Sequence, residues 1–164
     1  MKKIGILSDT HAFLHPGLFE VFKETHEIWH AGDIGNLQTY DALAAFKPLR
    51  AVYGNIDGQD IRARIPEVAN FVCEGIKICM MHIGGYPGRY SQKARTLISE
   101  KQPGIFISGH SHILKVMPDR KNNLLHINPG AAGRFGSHKK ITMIRLKISE
   151  ATPSELEVIE FDRF

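Results

Sequence analysis

Seven side chains that can bind a metal ion occur in short polar segments, and most of these segments directly follow an apolar stretch of the chain. The seven are Asp9, His11, Asp33, Asn55, His82, His110 and His112. Carboxylate and amide oxygens together with imidazole nitrogens, without a thiolate, are the donor set of a Zn, Mn or Fe type of site. If the fold gathers these side chains, the sequence predicts a metal centre.

The spacing of the donors is compatible with a shared site. Asp9 and His11 are two residues apart, as are His110 and His112. Side chains at such positions project to the same side of an extended backbone, which is the conformation we expect there. A glycine directly precedes three of the donors: Gly32, Gly54 and Gly109. Glycine permits unusual dihedral angles and a close approach of the backbone to a bound group.

The number of donors indicates two metal ions. Seven ligands are too many for one four-coordinate ion with an open position. They suit two ions that share a bridging carboxylate, and two ions roughly 3.5–4 Å apart can clamp a phosphoryl group and generate hydroxide near neutral pH. Each donor also has an ordinary alternative taken singly: Asp9 could cap a turn, Gly54-Asn55 is a common turn pair, and a lone histidine is usually a satisfied polar residue.

The hydrophobic pattern shows which elements must position these donors. It predicts strands at 4–7, 27–30, 49–53, 68–73, 76–81, 105–108, 114–117, 124–127, 141–148 and 155–161. It predicts helices at 17–25, at 37–46 with Asn36 as N-cap, and from a Ser91 cap to about residue 101. Strands and helices alternate first and an antiparallel run follows, which favours a mixed α/β sheet system.

Five predicted strands end in a donor segment. Because ligands of open α/β sheets bind outside the carboxyl ends of the strands, we expect the seven donors to meet there. His30 lies just before Asp33 and is a candidate partner of Asp33 or of another ligand. The equal alternative is that His30 is an ordinary strand residue with a local hydrogen bond.

Length and composition limit the class of protein. The 164 residues fit one domain spanning 1–164, and 43% hydrophobic residues are normal for a globular chain. The net charge of +4 comes from dispersed basic residues, so no long nucleic-acid partner is expected. No stretch is long and apolar enough for a signal peptide or a membrane span, which predicts a cytoplasmic protein. Cys73 and Cys79 are interpreted as reduced core residues.

The ordered segments Asp9-x-His11, Gly32-Asp33, Gly54-Asn55, His82 and Gly109-His110-x-His112 resemble the calcineurin-like metallophosphoesterase superfamily. The short chain and Asn128-Pro129-Gly130 resemble its small YfcE-like phosphodiesterase branch. The resemblance covers nearly the whole chain. It implies a metallo-dependent phosphatase-like fold, a four-layer α-β-β-α sandwich of two mixed β-sheets flanked by helices.

The resemblance also implies roles for the donors. Asp9, His11 and His112 would hold the first metal, Asn55, His82 and His110 the second, and Asp33 would bridge both and activate the attacking hydroxide. Asn55, His82 and His110 would join Asp33 as catalytic residues. Two divalent ions are implied, with Mn²⁺ expected and Fe, Zn, Ni or Co as alternatives.

The activity implied is hydrolysis of small phosphodiesters by a metal-bridging hydroxide. A phosphomonoesterase on the same metal site is one alternative, and a non-catalytic scaffold resembling the retromer small subunit is another. The expected binding partner is a small phosphoester substrate, and no membrane partner is expected. Small members of the family are commonly homodimers or higher oligomers, and such an assembly is a further expectation.

Three further features bear on the site. Many members have a histidine directly after the Gly-Asn pair, whereas this chain has Ile56, which puts the expulsion of poor leaving groups in doubt. Asp57 follows and is interpreted as orienting Asn55 or its loop. Three residues are tentative substrate contacts: Asn128, Gly130 and Arg134. For Asn128 and Gly130, a purely structural turn is the equal alternative. For Arg134, a solvated surface side chain is the equal alternative.

Overall fold

A computed structural model describes residues 1–164 and contains ten strands and four short helices. The strands are β1 (Lys2–Leu7), β2 (Glu27–His30), β3 (Leu49–Ala51), β4 (Val68–Cys73), β5 (Ile76–Met81), β6 (Ile105–Ile107), β7 (Leu114–Asp119), β8 (Leu124–Pro129), β9 (Lys140–Ser149) and β10 (Thr152–Asp162). The helices are α1 (Leu18–Val21), α2 (Leu37–Phe46), α3 (Gln59–Arg62) and α4 (Gln92–Lys101). No helix combines the length and apolar character needed to cross a membrane.

The strands form two mixed five-stranded sheets. The first has the order β10-β9-β1-β2-β3 and the second β4-β5-β6-β8-β7. In the first sheet β1, β2 and β3 are parallel, and in the second β5, β6 and β8 are parallel. The remaining strands pair antiparallel at the edges. Both sheets therefore present the carboxyl ends of parallel strands, the position where we expect ligands to bind.

The two sheets pack face to face over an apolar core. Ile6 and Trp29 of the first sheet and Met80 and Ile107 of the second lie fully buried in it. Burying each such side chain contributes roughly 1.5–3 kcal/mol. Helices α1 and α2 cover the outer face of the first sheet, and α4 covers the outer face of the second. The four-layer α-β-β-α arrangement is thus confirmed.

Most predicted elements are present, and two helix caps form as expected. The Asn36 side chain accepts a hydrogen bond from the Thr39 amide at 2.8 Å, and Ser91 accepts one from Ala94 at 3.1 Å. The helix predicted at 17–25 is wrong in length, because only Leu18–Val21 is helical. The Thr25 hydroxyl donates to the Phe22 carbonyl at 2.8 Å, which satisfies that group as the chain turns into β2.

Several other elements differ from the prediction. Strand β3 ends at Ala51, because the Tyr53 amide donates to Pro66 and leaves the sheet. Helix α3 was not predicted. Strands β9 and β10 are longer than expected and form a hairpin whose two turn residues, Glu150 and Ala151, both have positive φ. Such a turn matches the twist of the flanking strands but normally contains Asn or Gly, so the sequence did not indicate it.

Candidate metal centre

The seven donors follow the carboxyl ends of five parallel strands. The first sheet supplies Asp9 and His11 after β1, Asp33 after β2 and Asn55 after β3. The second supplies His82 after β5, and His110 and His112 after β6. The expected meeting of donor segments at the strand ends is therefore present. The two sheets contribute to it jointly, because their parallel strands end on the same side of the molecule.

The donors form two compact groups. Asp9, His11 and His112 each offer a ligand atom within 4.8 Å of the others, and Asp33, His82 and His110 do the same. Asn55 lies at the second group, where its Oδ1 atom is 3.1 Å from His110 Nδ1. Each group could hold one divalent cation with mixed oxygen and nitrogen ligation.

The carboxylate of Asp33 faces both groups. Its Oδ2 atom lies 3.1 Å from His82 Nε2 in its own group and 3.4 Å from His11 Nε2 in the other. Its Oδ1 atom accepts a hydrogen bond from the Ile56 amide at 3.1 Å, which links it to the Asn55 loop. Asp33 thus has the geometry of a shared ligand.

Three buried polar atoms at this centre have no hydrogen-bond partner: Asp9 Oδ1, His11 Nε2 and His82 Nε2. Buried polar atoms are nearly always paired in folded proteins, so three together need an explanation. The orientation of His82 supplies part of it, because its Nδ1 lies 2.8 Å from the Ala31 carbonyl and donates to it, so Nε2 is the ring nitrogen that faces the cluster. Cations bound between these atoms would satisfy all three, so the residues fit the metal ions that the donor set indicates.

Both carboxylates are held in the anionic form. Burial alone would raise the pKa of Asp9, but His11 and His112 beside it outweigh burial and lower it well below its usual range. The Ser8 hydroxyl and the His110 amide donate to Asp9 Oδ2 at 2.7 and 3.1 Å. Burial also opposes ionisation of Asp33, and His82 likewise lowers its pKa below the usual value. The two carboxylates therefore bring negative charge to the metal positions at neutral pH.

The backbone at the donors departs from the sequence-based expectation. Five of the seven donors have positive φ angles between 45° and 71°: Asp9, His11, Asp33, His110 and His112. The prediction of an extended backbone at Asp9-x-His11 and at His110-x-His112 is therefore wrong. Left-handed conformations are uncommon for residues other than glycine, and they persist where the surrounding structure enforces them. Here they direct His110 into one donor group and His112 into the other.

Gly54 and Gly109 permit the close approach expected of them. A Cβ atom at Gly54 would lie 2.5 Å from the backbone nitrogen of Asp33 and closer still to its carboxylate. A Cβ atom at Gly109 would collide with Ser8 and come within 2.9 Å of Asp9 Oδ2. Any larger residue at these positions would displace a donor carboxylate.

Asp57 connects the loops that present Asp33 and Asn55. Its buried carboxylate accepts hydrogen bonds from the amides of Gly54 at 2.8 Å, Gly35 at 2.9 Å and Ile34 at 3.2 Å. The interpretation that Asp57 orients the local loop fits this geometry. A carboxylate is needed because three backbone donors converge on one side chain.

His30 supports the donor loops and does not pair with Asp33. Its Nδ1 atom accepts the Gly32 amide at 3.1 Å, so Nε2 carries the proton and donates to Thr10 Oγ1 at 3.0 Å. The Thr10 hydroxyl in turn donates to the Ile34 carbonyl. Burial lowers the pKa of His30 to about 4, which keeps it neutral and preserves this chain of hydrogen bonds.

Asn128 and Gly130 are engaged in hydrogen bonds within the chain, and their contact with substrate stays a prediction. The Asn128 amide donates to the Gly109 carbonyl at 3.0 Å and to Ser111 Oγ at 3.1 Å, and its Oδ1 accepts the Gly130 amide at 3.0 Å. Asn128 therefore fixes the loop that bears His110 and His112. The guanidinium of Arg134 stacks 4.0 Å from the Phe13 ring centroid. Its contact with substrate stays a prediction.

Several neighbours of the donors were not predicted from the sequence, which indicated only Ile56 among those described here. Phe135 stacks on His11 with ring centroids 4.9 Å apart, and the ring of His138 lies edge-on to His112 at 5.4 Å. Large exposed aliphatic side chains directly follow three donors: Ile56, Ile83 and Ile113. Only this last feature has a sequence signal, since an isoleucine follows a donor in each case.

Comparison with known proteins places this geometry in a family. A model described as the calcineurin-like phosphoesterase superfamily domain matches residues 1–151. A probable metallophosphoesterase of Methanocaldococcus jannaschii is 32% identical over 135 residues, which cover 78% of this chain and 67% of the relative. A probable metallophosphoesterase of Methanothermobacter thermautotrophicus is 28% identical over 135 residues, covering 78% of this chain and 76% of the relative.

Solved structures share the fold. A Vps29 single mutant from Entamoeba histolytica has a TM-score of 0.76 and 18% identity, covering 98% of this chain and 99% of its own. A structure described as a novel archaeal phosphodiesterase has a TM-score of 0.73 and 23% identity, covering 97% and 99%. At these identities the likeness concerns the fold alone.

Proposed function

The chain belongs to the calcineurin-like phosphoesterase superfamily, and from this premise we propose that it hydrolyses small phosphodiesters with two divalent metal ions. The first ion would be held by Asp9, His11 and His112, the second by Asn55, His82 and His110, and Asp33 would bridge them. The observation that carries the proposal is the position of Asp33 Oδ2, within 3.4 Å of a histidine of each donor group.

Divalent ions in these positions would polarise the phosphoryl oxygens and lower the pKa of a water molecule to near neutrality. The chain itself supplies the rest. The buried carboxylates Asp9 and Asp33 fix the charge at the centre, and Ala31, Asp57 and Asn128 orient the donors through hydrogen bonds. His110 is the most exposed member of the two groups, so substrate approaches from its side. Mn²⁺ is the ion we propose, and Fe, Zn, Ni and Co are the alternatives that the same donor set accepts.

Two features favour a diester over a monoester. A monoester dianion needs more cationic lining than a diester monoanion. The guanidinium of Arg62 lies near the Asn55 loop but is bonded to the carbonyls of Asp57, Gly54 and Asn55, and Arg134 is stacked on Phe13. Ile56 stands where many relatives have a histidine, and its side chain cannot protonate a leaving group. Diesters with good leaving groups are therefore the substrates that the site suits best.

The test compares bis-p-nitrophenyl phosphate with p-nitrophenyl phosphate, using metal-stripped protein to which Mn²⁺ is restored. We expect metal-dependent cleavage that favours the diester. Preference for the monoester would move the assignment to a phosphomonoesterase on the same centre.

A non-catalytic scaffold is the second candidate, because the structural neighbours include Vps29 proteins. It would gain support if calorimetry detects two bound metal ions and neither ester is cleaved with Mn²⁺, Fe²⁺, Zn²⁺ or Ni²⁺. Asp41→Asn, at an exposed carboxylate paired with Arg64, is a matched control for changes at Asp33.

A further inference from the structure

A cavity of about 320 Å³ opens directly beside the second donor group. It shares His110 with that group, and we call it the side pocket. Its lining includes Ile83, Tyr86, His110, Ile113, Lys115 and His126. Its volume is in the range of small-ligand sites. A group attached to a phosphorus atom at the metal centre could therefore extend into it past His110.

The wall of the side pocket is apolar and open to solvent. Ile83 is 45% exposed, Tyr86 40% and Ile113 61%. Large apolar side chains gathered around a concave site gain free energy when a ligand removes them from water. The wall therefore favours an apolar ligand group over a hydrated or charged one.

Lys115 is the one lysine or arginine among the residues that line the pocket. Its ammonium lies 4.5 Å from the centroid of the Tyr86 ring, and no carboxylate lines the cavity. His126 also lines the cavity and is fully buried, and burial, followed by the nearby Lys115 charge, lowers its pKa to about 4, so it is neutral at pH 7. An ammonium beside an apolar wall attracts the π face of an aromatic ring but gives no such gain with an alkyl group.

We propose that the side pocket binds the aromatic ring of one ester arm of the substrate, so that the enzyme selects diesters with an aryl or nucleobase group. This inference rests on the proposed function, because it places the phosphorus at the two donor groups. A nucleobase and a simple aryl alcohol share the planar ring that the pocket recognises. The position of Lys115 and Tyr86 beside the apolar wall is the observation that carries it.

The test uses p-nitrophenyl diesters that differ only in the second arm. Benzyl, cyclohexylmethyl and methyl arms have similar electronic effects on phosphorus, and a thymidine 5′ arm represents a nucleobase. We expect kcat/KM for the benzyl ester to exceed that for the methyl ester by roughly tenfold, through apolar burial. We expect it to exceed that for the cyclohexylmethyl ester by about 3-fold, through the cation–π term. Equal values for all three arms would overturn the inference.

The thymidine ester distinguishes the two kinds of ring that the pocket could bind, a nucleobase and a simple aryl group. A preference for it over benzyl identifies a nucleotide derivative, and the opposite preference identifies an aryl ester. Either result supports the inference, provided that the methyl ester is the poorest substrate of the set.

Two variants connect the selectivity to the pocket. Lys115→Met keeps the length of the side chain and removes the charge, so the benzyl to cyclohexylmethyl ratio is expected to fall to about 1. Tyr86→Leu is expected to lower the benzyl to methyl ratio severalfold. Lys77→Met, at an exposed lysine of β5, is the matched control. An unchanged ratio in Lys115→Met, equal to that of the control, would contradict the role of Lys115.

A binding measurement distinguishes this inference from the proposed function. Benzylphosphonate and methylphosphonate are not hydrolysed, and calorimetry gives their Kd with metal-loaded and with metal-stripped protein. We expect benzylphosphonate to bind about 10-fold more tightly, and Lys115→Met to reduce this advantage. If the ring binds in this way but no ester is cleaved, only the proposed function fails. If the methyl ester is cleaved with Mn²⁺ but the ring gives no advantage in binding or rate, only the side pocket inference fails.

Discussion

Asp33 and His11 belong to different donor groups, yet Asp33 Oδ2 lies 3.4 Å from His11 Nε2. The same oxygen is 3.1 Å from His82 Nε2 of its own group. One carboxylate oxygen therefore lies between the two groups, at the point where a shared ligand must be.

Asp33→Asn should weaken both metal positions at once. The amide lacks the negative charge that a bridging ligand supplies to two cations. We expect at least about a 100-fold loss of activity, because even groups that only orient metal ligands commonly cost 10–100-fold. Calorimetric metal titration and diester hydrolysis measure the effect, with Asp41→Asn as control. A variant that retains two bound ions and full activity would show that Asp33 does not bridge.

Gly54→Ala should displace Asp33 without removing any donor. The added methyl group would lie 2.5 Å from the Asp33 backbone nitrogen, so the loop or the carboxylate must move. We expect metal affinity to fall by roughly 10-fold or more while the protein remains folded. Gly58→Ala is the matched control, because its Cβ atom would approach Asp60 no closer than 3.2 Å. Equal affinities in the two variants would mean that the loop adapts to the methyl group.

Asp57→Ala should destabilise the fold and weaken metal binding together. The change leaves the amides of Gly54, Gly35 and Ile34 without their acceptor, and each buried unsatisfied group costs about 1–3 kcal/mol. Denaturant unfolding and metal titration measure the two effects. Asp60→Ala, at an exposed aspartate on α3, serves as control. Lost stability with unchanged metal affinity would restrict Asp57 to a structural role.

His126→Phe should reduce the loss of folding free energy that occurs as the pH falls below about 6.5. The pKa of His126 is about 4 in the folded protein and near 6.5 when exposed, so between these values the unfolded state binds a proton that the folded state does not. Stability therefore falls as pH decreases from about 6.5 to 4, by up to about 3 kcal/mol for this residue.

Phenylalanine removes that loss and also removes two buried ring nitrogens without hydrogen-bond partners, for a gain of about 1 kcal/mol at pH 7. Urea unfolding of the metal-stripped protein at several pH values tests both effects. His30, whose pKa is also about 4, stays in the variant, so part of the acid loss should remain. An unaltered pH dependence would show that His126 is protonated equally in both states.

Ile56→His should improve the cleavage of poor leaving groups. Ile56 is 45% exposed and follows Asn55 directly, so an imidazole there could reach the departing oxygen. Since a positioned general acid commonly contributes roughly 100-fold or more, we expect at least about a 10-fold increase for alkyl esters and a smaller one for p-nitrophenyl esters. The gain should decline as pH rises above the pKa of histidine. Equal effects on both classes of ester, or a loss, would indicate that the loop does not direct the ring at the leaving group.

The sequence by itself indicated the seven candidate donors, the positions of most strands along the chain and two helix caps. These features depend on local chemistry: a buried strand is an apolar run, a cap is a polar side chain before a helix, and a donor is recognised by its functional group. The glycines before Asp33, Asn55 and His110 could also be interpreted from the sequence, because only glycine allows such a close approach of the backbone to a neighbouring group.

The tertiary structure alone decided how the donors are grouped and which neighbours support them. Asp9 and the His110 amide that bonds to it are 101 residues apart, and His82 donates to a carbonyl 51 residues away. The left-handed backbone at five donors is a local conformation that the residues do not prefer, and the packed loops enforce it. Asn128 bonds to the His110 loop because the pairing of β6 with β8 places the two strand ends side by side. Such relationships arise from long-range packing, which no short stretch of sequence specifies.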